Sequence, residues 1–292
     1  AAGGGGSDLT KATFDMTRRL AIVCAMAEEL GRLHEGMAPG AQCVQRGGRE
    51  FWVGQLAQRE VVIVLSRIGK VAAATTAALL ATTFELSGIV FTGAAGGLGT
   101  EVQVGDVVVA STLLQHDMDA SPLFPRFEVP LYGRARFDSD AVLSAAVASA
   151  TQAALAEGAS QRLTEVEHPL APAFTALASA RAAAGLAPHQ ARLHQGLILS
   201  GDCFVSSQRQ CDQLLQWQPD ALAVEMEGAA LAQVCADFNL PFAVVRTISD
   251  RADDQAHLDF NRFIAETASR YTQAIVLGLL DLICLAITID LL

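Results

Sequence analysis

"ALAVEMEGAAL", residues 221–231, carries two carboxylates, Glu225 and Glu227, in an otherwise apolar run. Its first half reads as a short buried strand. Its second half opens a helical pattern that continues through "EGAALAQVCADF" to residue 238. A strand passing directly into a helix is the repeating unit of an α/β fold. A carboxylate is costly to bury without a partner, so these two belong at the strand's end, where they can line a pocket. If "AVEME" stays extended, Glu225 and Glu227 face the same side of the chain. The plainer alternative is that Glu227 caps the following helix, where negative charge is favoured.

The same unit recurs on both sides of this stretch. β-rich runs appear at 20–25, 51–56, 60–66, 88–93, 105–111, 196–202 and 242–249, several of them continuously apolar, as strands buried on both faces are. Helical patterns lie at 69–86, 227–238 and 260–280. The alternation predicts a three-layer α/β/α sandwich around a twisted mixed sheet, formed by one domain over residues 18–292. Residues 138–194 are Ala-rich and read as two helices joined by the Pro-containing loop "TEVEHPLAP", with a helical insertion at about 157–190.

The chain of 292 residues has a net charge of −11 and no basic block. That excludes a nucleic-acid polymer as partner, since phosphate neutralisation needs clustered Lys and Arg. Six cysteines without CxxC spacing read as reduced thiols, and six histidines show no metal-binding pattern. No metal and no cofactor are implied, and the thiols point to the cytoplasm. Residues 1–17, with "GGGGS", read as a flexible, added or disordered leader. "AIVLGLLDLICLAITIDLL" (274–292) nearly has the length of a membrane span, but Asp281 and Asp290 oppose insertion, at roughly 2.5–3.5 kcal/mol each if central. A helix packed on the core or on a partner subunit is expected instead, with no membrane.

In open α/β sheets, ligands bind beyond the carboxyl ends of the strands. Here those ends are followed by "MAEEL", "TGAAGGLG", "GDCF", "EMEG" and "SDRADD". Gly-rich and acidic residues thus collect at one end of strand after strand. None of these segments is by itself a phosphate-binding fingerprint.

Together, "CAMAEE", "SRIGKVAAA", "TGAAGGL", "VGDVVVA", "GLILSGDCF", "AVEMEGAALAQVC" and "PFAVVRTISDRADDQAHLDF" resemble the ordered blocks of the 5′-methylthioadenosine/S-adenosylhomocysteine nucleosidases. These are members of the purine nucleoside phosphorylase/uridine phosphorylase superfamily. The resemblance implies a nucleoside phosphorylase-like fold, a small-molecule nucleoside substrate and a homodimer. It makes Glu29 the base that activates water and Asp250 the acid that protonates purine N7. It places Met226 and Glu227 at the ribose, with Arg246 ordering the water and Glu227. Phe204 would stack on adenine, Val205 read its edge through the backbone, and Gly96 admit the sugar. Phe260 and Ile68 would lie near the nucleoside. Three departures stand out: Cys24 where Gly is usual, Ala94 in place of Ser, and Arg67 in place of Gly. Arg67 is either a surface charge or the receptor for an anionic 5′ substituent.

Overall fold

Strand β1 (Arg19–Cys24) is enclosed from Leu20 to Cys24 because both of its faces are covered. It runs parallel to β4 (Arg59–Leu65) on one side and to β5 (Leu86–Gly97) on the other. The computed structural model describes residues 18–31, 33–160, 170–183, 185–253, 256, 260–261, 263–264 and 267–290. The leader at 1–17 and most of the Pro-containing loop lie outside these residues.

The described strands form one ten-stranded mixed sheet. β4 is extended by the antiparallel strands β3 (Arg49–Leu56) and β2 (Gln42–Arg46). Beyond β5 the sheet curls upon itself. β5 pairs with β10 (Phe242–Asp250), β10 with β6 (Val107–Gln115), and β6 with β8 (Leu193–Ser200). β8 then pairs with β9 (Ala221–Glu225), and β9 returns to β5 at Gly96 and Gly97. This closed ring brings the ends of β5, β8, β9 and β10 to one place. A short β7 (Arg136–Asp138) pairs with β6.

Alternate residues of the strands feed two cores. Leu20, Ile22, Ile63 and Val245 pack under α3 (Ala141–Ser160) and the C-terminal helix α7 (Ala268–Asp290). Ala21, Val23, Val64 and Val244 pack under α2 (Lys70–Thr83) and α6 (Gly228–Asp237). These are the three layers read from the sequence. A third cluster joins α5 (Gln208–Trp217) to the outer side of β8.

The apolarity of α7 is that of a core helix. Ile275, Val276, Leu279 and Leu280 are buried against Leu143 and Val147, while Asp281 is exposed. α4 (Ala171–Ala183) supplies the second Ala-rich helix, with Phe174 edge-on to Tyr271.

Two expectations need correction. "TGAAGG" is not a strand-end loop; it lies within β5, because β9 and β10 offer it hydrogen-bonding partners as far as Gly97. "AVEME" does not stay extended. β9 ends at Glu225, and Glu227 already sits at the N-cap of α6, with φ −135° and ψ −40°.

Candidate active site

Where the sheet ring closes, a cavity of about 280 Å³ opens at the strand ends, close to the lower limit for small-molecule sites. Glu29, Glu225, Glu227 and Asp250 all line it, and no Lys, Arg or His does so among the described residues. Each of the four carboxylates is buried, and each is held by its own set of donors.

Glu29 stands on the single-turn helix α1 (Ala27–Leu30) directly after β1. Its Oε2 accepts from the N–H groups of Ala25 (2.9 Å) and Met26 (3.0 Å), and its Oε1 from that of Ala94 (2.9 Å). The carboxylate lies so close to β5 that a Cβ on Gly93 would come within 2.7 Å of Glu29 Oε1. Burial pushes the Glu29 carboxyl up, against the pull of Arg246 and the three N–H donors. Ala94 therefore contributes to this contact through its backbone.

Asp250 ends β10. Its Oδ2 accepts from Ser249 Oγ at 2.8 Å, and its Oδ1 from the Ala252 N–H at 2.8 Å. Gly96 lies across from it, and a Cβ there would sit 3.0 Å from Asp250 Oδ1. Glycine at this position keeps the approach to the acid open.

The opening pair divides its work differently from the sequence reading. Glu225 is the helix cap. Its oxygens accept from the N–H groups of Glu227 (3.1 Å) and Gly228 (2.9 Å), two donors that the start of a helix leaves unpaired. It also accepts from Ser200 Oγ, and from Arg246 Nη2 at 2.6 Å and Nε at 3.2 Å. Glu227 is left to face the cavity, with the Gly69 N–H at 2.8 Å as its close donor and Arg246 at 3.9 Å. Arg246 is thus first a partner of Glu225. It reaches Glu227 by charge alone: Nε and Nη2 donate to Glu225, Nη1 to the Phe91 carbonyl at 3.4 Å, and the guanidinium lies over the Phe91 ring at 4.2 Å. Burial, then the neighbouring Glu225 and, more weakly, Glu29 push the Glu227 carboxyl up to about 8, against the pull of Arg246 and the Gly69 N–H.

The apolar side of the cavity holds the remaining residues. Phe204 packs edge-on against Phe260 with centroids 5.5 Å apart, and Val205, Met226 and Ile68 complete the lining. Phe204 and Ile68 are exposed at the mouth. All the expected site residues except Arg246 reach the cavity wall, and Arg246 lies behind it. Arg67 does not. It is exposed and donates to the Gly48 carbonyl in the β2–β3 turn. Ser200, Ser249 and the N–H groups of Ala25, Met26, Gly69 and Ala94 were missed. Backbone donors leave no trace in residue identity, and the two serines were visible only as parts of "LSGD" and "ISD". Among the described residues, no cluster of three or more His, Cys, Asp or Glu is arranged to hold a metal.

Residues 19–281 match the phosphorylase superfamily. The chain belongs to the phosphorylase superfamily. Within it, the chain is similar to a 5′-methylthioadenosine/S-adenosylhomocysteine nucleosidase from Neisseria meningitidis, solved with methylthio-immucillin-A, at 32% identity and TM-score 0.71, covering 90% of this chain and 98% of that one. It is similar to the corresponding nucleosidase from Colwellia psychrerythraea, solved with adenine, at 31% identity and TM-score 0.74, covering 90% and 95%. A futalosine hydrolase mutant from Helicobacter pylori matches at 26% identity and TM-score 0.69, over 89% and 98%.

Proposed function

We propose that the protein hydrolyses the N-glycosidic bond of 5′-modified adenosines, 5′-methylthioadenosine and S-adenosylhomocysteine, releasing adenine and the free 5′-modified ribose. The observation that carries this reading is the make-up of the cavity wall: four carboxyl groups and no lining Lys, Arg or His among the described residues. A phosphorolytic member must hold an anion beside the sugar, and these lining residues offer it no cationic partner. Water is the nucleophile that such a site accepts.

Each residue then has a task. Glu29 takes a proton from the attacking water. Burial strengthens it as a base, and the three N–H donors fix its orientation. As the bond breaks, positive charge builds on the sugar, and the carboxyl group of Glu227 receives the ribose hydroxyls beside Met226. Asp250, held by Ser249 and Ala252, passes a proton to N7 of the leaving base, a step worth roughly 10²–10⁴-fold. Phe204 stacks on adenine, the Val205 backbone reads its edge, and Gly96 lets the sugar approach. Ile68 and Phe260 flank the 5′ group. Arg246 keeps Glu225 and, through it, the start of α6 in place. The reading includes a single-domain, cytoplasmic, homodimeric enzyme of methionine salvage.

The test is product analysis. The protein is incubated with 5′-methylthioadenosine, S-adenosylhomocysteine and a 5′-anionic adenosine, with and without phosphate. Adenine and free sugar in equal amounts, at a rate independent of phosphate, are expected. A sugar 1-phosphate, or no adenine from any of the three, overturns the proposal.

A further inference from the structure

Three segments that never touch in sequence are tied together just outside the cavity. Asp117, past the end of β6, accepts from Lys70 Nζ on Oδ1 at 2.6 Å and from the Asp202 N–H on Oδ2 at 2.9 Å. Asp202 Oδ1 in turn accepts from the Lys70 N–H at 2.8 Å. Lys70 Nζ also donates to Gln115 Oε1 at 3.2 Å, and Gln115 donates to Gln233 of α6 at 2.8 Å. Burial works against the Asp117 charge, yet Lys70 and the Asp202 N–H hold its carboxyl below the usual range. An isolated exposed ion pair would contribute almost nothing. This one is part-buried, uses both carboxylate oxygens and closes a cycle through two backbone N–H groups.

None of Lys70, Asp117 and Asp202 lines the cavity, but residues close to Lys70 and to Asp202 in the chain do. Immediately before Lys70 come Ile68, on the wall, and Gly69, whose N–H grips Glu227. Immediately after Asp202 come Cys203, Phe204 and Val205, the wall assigned to the base. We infer that the Lys70–Asp117–Asp202 network consists of positioning residues, which set the distance between the adenine wall at 203–205 and the ribose carboxylate of Glu227. The inference rests on the nucleosidase reading for its ligand, but its geometry is independent of that reading. A wall held at the right separation in advance spares the ordering cost at binding. Loosening it weakens ground state and transition state together, which raises KM more than it lowers kcat.

The experiment compares wild type with Lys70→Met and with Lys70→Arg, which keeps the charge. Lys70→Met is expected to raise KM for 5′-methylthioadenosine about tenfold and to weaken inhibition by added adenine by a similar factor. Its kcat should stay within roughly threefold of wild type, and Lys70→Arg should recover both constants in large part. Amide hydrogen exchange at 203–207 should quicken in Lys70→Met while β1 and β5 keep their protection. Unchanged KM and adenine inhibition, or a loss confined to melting temperature and kcat, overturns the inference. If wild type releases no adenine, the nucleosidase reading fails. The exchange measurement then decides alone: faster exchange at 203–207 supports the positioning role, and unchanged exchange overturns it.

Discussion

Among the described residues carboxylates are buried in two places, and they are satisfied in opposite ways. Asp106, at the start of β6, is fully enclosed. It accepts from His189 Nε2 at 2.6 Å and His194 Nε2 at 2.9 Å, and from the N–H groups of Arg192 and Gln103, both at 2.9 Å. One acid there meets four donors. At the strand-end cavity, Glu29, Glu225 and Glu227 share a single buried cation, Arg246, and only Glu225 bonds to it directly. Burial pushes the Glu29 and Glu227 carboxyls up, and the pull of Arg246 does not cancel it. A balanced buried charge stabilises a fold, and an under-compensated one beside a cavity is a sign of chemistry. The difference separates a structural knot linking the 189–194 segment to the sheet from the proposed active site.

The largest expected effect falls on the ion pair that serves the proposed active site. Glu225→Gln leaves Arg246 buried with half of its partner gone, which should cost about 3–5 kcal/mol. Denaturant unfolding checks this. A loss below about 1 kcal/mol would put Glu225 in the same class as an exposed pair. Asp250→Asn should do the reverse, lowering kcat by at least ~10² with little change in unfolding midpoint. Near-normal adenine release from that variant would remove Asp250 from the role of acid.

The Asp106 knot should respond in stability alone. Asp106→Asn places an NH₂ where acceptors are needed, at about 1–3 kcal/mol. Calorimetry should show the midpoint falling by several degrees while kcat/KM of the folded fraction holds; a matching loss of activity would erase the distinction between the two centres.

A smaller effect concerns pH. Glu227 holds its proton more tightly when folded, so its contribution to stability is complete below its ordinary value of 4.5. That contribution is lost as pH rises towards about 8. Melting temperature should therefore decline across that window more steeply in wild type than in Glu227→Gln, which should also be nearly inactive. Equal slopes would show that Glu227 titrates normally.

The smallest effect is expected at Arg67, whose guanidinium rests on the Gly48 carbonyl. Arg67→Gly should leave the ratio of kcat/KM for a 5′-carboxylate substrate and for 5′-methylthioadenosine unchanged. A selective loss with the anionic substrate would return Arg67 to the site.

The sequence by itself determined the alternation of strand and helix, the buried sheet and the collection of acids at strand ends. Apolar periodicity and residue type are local properties, and burial on two faces demands them. Exposed strands with no such pattern were not legible: β2, "QCVQR", has four of its five residues exposed. The polar α5 was likewise missed. The resemblance carried by their motifs marked Glu29, Glu227 and Asp250 as site residues, and the structure brings all three to one cavity wall. The tertiary structure alone decided which glutamate caps α6 and which faces the ligand, because that depends on where Arg246, 21 residues away, and Ser200, 25 residues away, come to lie. It also decided that "TGAAGG" is strand rather than loop, because β9 and β10 supply its partners. Hydrogen-bond partners separated by tens of residues are a property of the closed sheet, and no local pattern encodes them.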